Sequence, residues 1–363
     1  MKKVCMANKA LKICIIVCCM CFISIILCNL NFCKLNIDDP RWQWIREKIF
    51  FDKSKTIDIA IIGSSYSWCG IKPKLISNEL NGLNVYNLGR NWHGRDVDYF
   101  IIKHLAENHH IKQILLEFRD EENQNPHQFT KYLIEPDDIV QEMYYIIRSL
   151  KYLDILSLSN NFKKNISYII DCMSNLAIRG FEKLCVRSFQ KYFMKNNILN
   201  EKQRKLYEKE NGYYSHGDHQ VQNKKFLKKF ANVKVKTISK KKYQESDYIP
   251  GTRADFYLKK ICNLTQKKKI KLSFVYLPTY KKRVLPSQES FEYYSKLGEV
   301  LLPNCNDIFK INYWRDKNHL YKDGSVKFTN ELISLLIEGT NNSPHYLSYS
   351  TTNEKLYSNK YLN

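Results

Sequence analysis

Residues Ile57-Asp58-Ile59-Ala60-Ile61-Ile62 form a nearly unbroken apolar run that stops at Gly63-Ser64-Ser65. A strand with one wet face alternates apolar and polar residues. A strand without alternation is covered on both faces, which is the condition of a parallel sheet packed between helices. The following chain keeps that rhythm. Segments 84–89, 113–118 and 271–277 read as strands, while 72–80, 94–107 and 254–266 carry apolar residues at helical spacing. Helices over 287–301 and 324–339 and a fifth short strand over 307–311 complete the pattern. The fold class expected is α/β, a three-layer arrangement around a parallel sheet.

The rhythm breaks near Asp120. From there to about residue 243 the pattern is helical, with segments at 139–157, 166–193 and 201–210. Residues 121–244 therefore read as a helical insertion, a lid or partner surface, inside one domain of 36–340 whose core is 55–120 and 245–340. The tail, 341–363, is polar and rich in Asn, Ser and Tyr, a composition that does not build a core.

The N-terminal stretch sets the expected compartment. Residues 13–30 are almost wholly apolar and follow Lys2, Lys3, Lys9 and Lys12. A run of about 18 apolar residues can cross a bilayer once, and the basic flank places Met1 in the cytoplasm. A cleaved signal peptide is the competing reading. The run is long for that role, and the residues after it lack a small-x-small cleavage site. The expectation is a single-pass anchor over 1–35 in the plasma (inner) membrane, with the remaining chain extracytoplasmic. Residues 41–51 would form a juxtamembrane helix with Trp42 and Trp44 in the headgroup layer.

Other features point to less. Seven of the 12 cysteines lie in or beside the apolar run, and the rest have no spacing that describes a disulfide framework. Cys18-x-x-Cys21 lies in the apolar run without a histidine partner, and His216-Gly217-Asp218-His219 reads as a polar surface loop, so no metal is expected. The formal charge of +22 comes from Lys runs that read as solvated faces. An anion-binding surface is the alternative. Nucleic acid is not expected as a partner, because the anchor removes the domain from the cytoplasm.

In an open parallel sheet, ligands bind beyond the carboxyl ends of the strands. Ser64-Ser65, Gly89-Arg90-Asn91 and Glu117-Phe118-Arg119-Asp120 all fall there. A hydroxyl nucleophile needs a base within hydrogen-bond reach and a carboxylate to orient that base. Ser65, His319 and Asp316 can supply those roles, with the Asp316-x-x-His319 spacing bringing both side chains to one turn. The backbone N–H groups of Ser65 and Gly89 are candidate donors to a developing oxyanion.

In that order and on those elements, Gly63-Ser64-Ser65, Asn87-Leu88-Gly89 and Asp316-x-x-His319 resemble the SGNH (GDSL-type) hydrolase superfamily. The resemblance is closer to its membrane-anchored branch with Gly-Ser-Ser in place of Gly-Asp-Ser. Members of that branch handle acyl groups on cell-envelope polymers, as in teichoic-acid D-alanylation and polysaccharide O-acetylation. The resemblance implies a flavodoxin-like sheet, Ser65 rather than Ser64 as nucleophile, His319 as base, Asp316 as its orienter and Gly89 as an oxyanion donor. It covers about 57–118 and 271–339. One block departs from the pattern: the third strand ends in Glu117-Phe118-Arg119-Asp120, where the superfamily has a Gly-x-Asn-Asp turn. Arg119, and Asn91 after the second strand, are candidates for the missing contact to substrate or oxyanion.

The expected function is an extracytoplasmic serine esterase or O-acyltransferase, acetyl being the expected group, acting on an envelope polysaccharide or teichoic-acid-like polymer. It needs no cofactor and would work beside a membrane-bound acyltransferase. The alternative is a catalytically inactive SGNH-like protein that binds the polymer or serves as an accessory to such a system.

Overall fold

The computed structural model describes residues 40–46, 56–120, most of 122–139, 170, 173, 201–213, 252–280 and 285–341 apart from 305. The chain divides into two compact units, Met1–Gln43 with Pro126–Glu201 and Trp44–Asn125 with Lys202–Asn363. The sheet and the candidate site belong to the second.

The elements in chain order are α1 (Pro40–Arg46), β1 (Ile59–Ile62), α2 (Ser65–Gly70), α3 (Pro73–Glu79), β2 (Val85–Asn87), α4 (Arg95–Asn108) and β3 (Gln113–Phe118). After the intervening segment come α5 (Glu201–Lys209), α6 (Arg253–Lys267), β4 (Lys271–Tyr276), α7 (Gln288–Ser295) and β5 (Glu299–Leu301). Two 3-10 turns (Asn306–Phe309 and Ile311–Tyr313) and α8 (Lys322–Asn341) follow. The sheet has five strands in the order β2-β1-β3-β4-β5, and every pairing is parallel. The α/β class with a parallel sheet is therefore the architecture of this chain.

The apolar run explains β1. Its residues Ile59, Ala60, Ile61 and Ile62 are all buried. Ile59 and Ile61 join a core with Leu115 and Val275 of the neighbouring strands, Ile76 of α3, and Phe328 and Leu332 of α8. Because successive side chains alternate in direction, burial of Ala60 and Ile62 requires cover on the opposite face as well. Helix packing extends the sequence logic. Pro73 starts α3, where its missing N–H costs no hydrogen bond. Thr252 and Ser287 cap α6 and α7 through their side-chain oxygens.

The strand order reverses between β1 and β3, which makes the carboxyl end of that pair the crevice where an open sheet receives ligands. Register sharpens the point. Ile62 is level with Leu116, so β3 continues past β1 and brings Glu117 and Phe118 alongside the loop that starts at Gly63.

Three expectations are corrected. The helix expected over 287–301 stops at Ser295, and Glu299–Leu301 is the edge strand β5. The intervening turn holds Gly298, where a Cβ would stand 2.9 Å from the Leu272 carbonyl oxygen and 3.1 Å from the Phe274 ring. The segment expected as the fifth strand, 307–311, instead lies in the two 3-10 turns. Trp42 and Trp44 do sit on a helix, but both are fully buried and neither stands in a headgroup layer. Trp42 stacks on Phe129 at 4.7 Å, and Trp44 packs against Tyr86 and Tyr207. An indole brings a large apolar surface, and here protein core claims it.

Among the described residues, no helix is long and apolar enough to cross a membrane. The expected anchor over 13–30 lies outside the described residues, as do His216-Gly217-Asp218-His219 and most of the helical insertion.

Candidate active site

The site begins with Gly63-Ser64-Ser65 at the end of β1. Ser64 caps α2: its Oγ accepts the Tyr66 N–H at 3.1 Å, and its carbonyl accepts from Trp68 N at 3.0 Å. The Ser64 hydroxyl proton goes to Glu117, with 2.8 Å to Oε1. Glu117 also receives the backbone N–H of Ser64 at 2.8 Å and of Ser67 at 3.1 Å. Most of the opening amides of α2, which no helical carbonyl can reach, are thus satisfied by Ser64 and Glu117. One amide stays open. Among the described residues, nothing accepts from the backbone N–H of Ser65.

Ser64 is 1% exposed and its hydroxyl is saturated. Ser65, one residue on, is half-buried, and its Oγ lies 2.8 Å from His319 Nε2. His319 Nδ1 is 2.9 Å from both carboxylate oxygens of Asp316. A carboxylate can only accept, so the imidazole proton belongs on Nδ1 and the Nε2 lone pair faces the serine hydroxyl. The three sequence-predicted residues therefore form one continuous relay, Asp316 to His319 to Ser65.

A tied loop presents His319. Trp314 and Leu320 form an antiparallel bridge, and Arg315 N–H donates to the His319 carbonyl at 2.9 Å. Within that loop Asp316 Oδ1 accepts the backbone N–H groups of Asn318 and His319 at 2.8 and 3.0 Å. This is the Asx-type turn that an aspartate makes with the amides after it. Burial alone would raise the Asp316 pKa. The hydrogen bond and charge of His319, the Asn318 amide and Arg315 outweigh it and hold the carboxyl at about 2. Asp316 therefore stays ionised while it orients the ring.

Arg119, from the end of β3, reaches the same place. Its Nε donates to Glu117 Oε1 at 2.7 Å, and it also contacts the Ser64 hydroxyl. Its guanidinium lies 3.6 Å from the centre of the Tyr66 ring, and that ring lies 5.5 Å from the His319 ring. The side chain keeps 23% exposure. Glu117 is fully buried, which by itself would raise its pKa. The charges of Arg119 and His93 and the donors from Ser64 bring it down to about 2.

Gly89 is placed differently from its expected role. Its N–H donates to Asn87 Oδ1 at 2.9 Å, so that amide is engaged by its own strand end rather than presented to a substrate. Asn87 is fully buried, and its amide nitrogen donates to the carbonyls of Ser67 and Ile71 at 2.8 and 2.9 Å. It pins the end of α2 to β2. Gly89 is needed for closeness: a Cβ there would stand 2.6 Å from Ser67 Oγ and 2.8 Å from Trp68 N. Asn91 lies exposed in the loop beyond.

Sequence reasoning passed over Glu117, although its signal was present. An acid inside Gln-Ile-Leu-Leu-Glu-Phe, a strand covered on both faces, must have buried partners. A second buried cluster supports the loop after β2. His93 Nε2 and Arg95 Nε converge on Glu122 Oε2 at 2.8 and 3.0 Å, and Arg90 NH2 donates to Asp98 Oδ1 at 2.7 Å. Among the described residues, no group of His, Cys, Asp and Glu is arranged to hold a metal ion.

No protein-family model matches this chain, and no curated protein is similar to it.

Proposed function

We infer that this chain is a serine-dependent acyl-transfer enzyme of the SGNH type, with a flavodoxin-like sheet. The reading is carried by one observation, the unbroken relay from Asp316 through His319 to Ser65 at hydrogen-bond distances of 2.9 and 2.8 Å. Ser65 Oγ attacks an ester carbonyl while its proton passes to His319 Nε2. The carbonyl oxygen takes the negative charge, and the open Ser65 amide with the Arg119 guanidinium stabilises it. Collapse of the tetrahedral species breaks the ester C–O bond, and the imidazolium protonates the leaving oxygen. The Ser65 acyl ester then passes to water or to a second hydroxyl by the same steps in reverse. Water makes the enzyme an esterase, and a sugar hydroxyl makes it an O-acyltransferase.

The substrate proposed is an O-acyl group, acetyl first, on an envelope polysaccharide or teichoic-acid-like polymer. In this reading the apolar segment 13–30 holds the domain on the outer face of the plasma membrane, beside a membrane-bound acyltransferase. The deciding experiment is fluorophosphonate labelling of the full chain with peptide mass mapping, beside Ser64→Ala, Ser65→Ala and His319→Ala. A label on Ser65 that requires His319 supports the reading. A folded protein that takes no label rules it out.

A second reading has its own observation. The Gly89 amide is engaged by Asn87, and Arg119 stands where the resembled superfamily has asparagine. A non-catalytic polymer-binding or accessory protein would tolerate both. Wild-type turnover no greater than that of Ser65→Ala would favour it.

A further inference from the structure

The loop between β2 and α4 presents Trp92 in an arrangement that nothing among the described residues explains. The chain has five tryptophans. Trp42, Trp44 and Trp314 are fully buried and Trp68 is 7% exposed, whereas Trp92 is 72% exposed. No ring contact or hydrogen bond of the indole occurs among the described residues. Its backbone is also unusual, with φ at 65°. The left-handed region suits glycine and asparagine, and a bulky side chain there is a strained exception.

The surroundings hold that strain in place. Arg90 N–H donates to the Gly63 carbonyl at 3.2 Å, and the Arg90 guanidinium reaches the Gly63 and Gly94 carbonyls at 3.1 and 3.2 Å. On the other side, the Asn123 side chain donates to the His93 carbonyl at 3.0 Å. Both flanks of Trp92 are fastened, so the indole is displayed on a fixed support and not on a loose loop. The support is anchored to Gly63, in the turn that carries Ser65. A strained backbone and an exposed indole are both unfavourable, and such features cluster where a ligand is held.

We propose that Trp92 is a stacking platform for a pyranose ring of the polymer whose acyl group meets Ser65. This rests on the acyl-transfer reading and names the part of the site that selects its substrate. The indole face is flat, apolar and negative, which suits the C–H face of a sugar ring. Asn91 and Asn125 are both exposed, in the two loop segments that the Asn123–His93 contact joins. A free alkyl chain would need an apolar wall around it, and an indole 72% exposed supplies none.

Because Trp92 is the exposed tryptophan, acrylamide quenching and N-bromosuccinimide oxidation both report on it in the full chain reconstituted in lipid nanodiscs. Cellopentaose, chitopentaose and xylopentaose are the sugar probes, and octanoate is the acyl-chain control. The expected result is that at least one oligosaccharide shields Trp92 from both reagents while octanoate does not. Trp92→Ala should weaken that binding by about tenfold, and Trp92→Tyr should recover most of it, as loss and return of one aromatic face require. Shielding by octanoate alone or by nothing overturns the platform, as does a Trp92→Tyr variant that binds sugar no better than Trp92→Ala. Sugar shielding in a wild-type protein that takes no label keeps the platform and removes the acyl-transfer reading instead.

Discussion

Glu117 Oε2 lies 2.8 Å from the backbone nitrogen of Ser64, which ties the end of β3 to the turn that ends β1. The contact exists because β3 runs two residues past the level of Ile62, and because Gly63 has no side chain. A Cβ at Gly63 would stand 2.5 Å from the Glu117 Cβ and 2.6 Å from its Oε2. The buried acid and the glycine are therefore one device for holding the turn that carries Ser65.

Replacing the acid should damage both fold and site. In Glu117→Gln the carboxamide presents an NH₂ to a pocket built of donors, and Arg119 loses its ion pair. Removing one partner of a buried charged pair costs about 3–5 kcal/mol, and the retained carbonyl of Gln places this variant toward the lower end. Urea unfolding should show that loss, and Ser65 labelling should slow in the protein that remains folded.

The same carboxylate predicts acid sensitivity. Its folded pKa of about 2 lies below the ordinary 4.5, so its stabilisation is complete above the unfolded pKa and is lost as pH falls toward the folded one. Between pH 6 and pH 3 the loss from this group is about 2 kcal/mol. Unfolding free energies from urea titrations at those two pH values should separate by that amount beyond the difference seen in Glu117→Gln, in which the group no longer titrates.

Asp316→Asn tests the relay. The amide can present N–H to His319 Nδ1, which favours the tautomer whose Nε2 carries the proton and cannot accept from Ser65. In enzymes with this triad such a change lowers kcat by about 10⁴. A p-nitrophenyl acetate assay should show a fall of about 10³–10⁴ with KM little changed. A fall of only a few-fold would mean that Asp316 serves the turn and not the chemistry.

Much of this was legible in the chain. Unalternated apolar runs identify strands covered on both faces, and the Asp316-x-x-His319 spacing brings both side chains to one turn. What could not be read was anything set by register or by the far side of the fold. Glu299–Leu301 is too short to show a period, so helical residues upstream masked it. Trp42 and Trp44 offer the same amphipathic surface to a bilayer or to a core, and only their neighbours decide. The Gly89 amide looked like an oxyanion donor because nothing local shows that the Asn87 side chain turns back to take it. The left-handed backbone of Trp92 has no residue signature at all.

Arg119 is the last group whose role the geometry makes testable. It stands at the end of β3, paired with Glu117 and stacked on Tyr66, with 23% of its side chain open. A lysine keeps the charge but not the planar fork, so Arg119→Lys cannot hold the carboxylate, the Ser64 hydroxyl and the ring together. If the guanidinium meets the oxyanion, its contact exists only in the transition state. Then kcat and kcat/KM fall together, by about 10²–10³ as for other oxyanion donors, and KM stays. If it held an anionic group of the substrate instead, KM would rise and kcat would stand. We expect the first pattern, because Arg119 touches the residue beside Ser65 and its stacking on Tyr66 fixes the cation before substrate arrives.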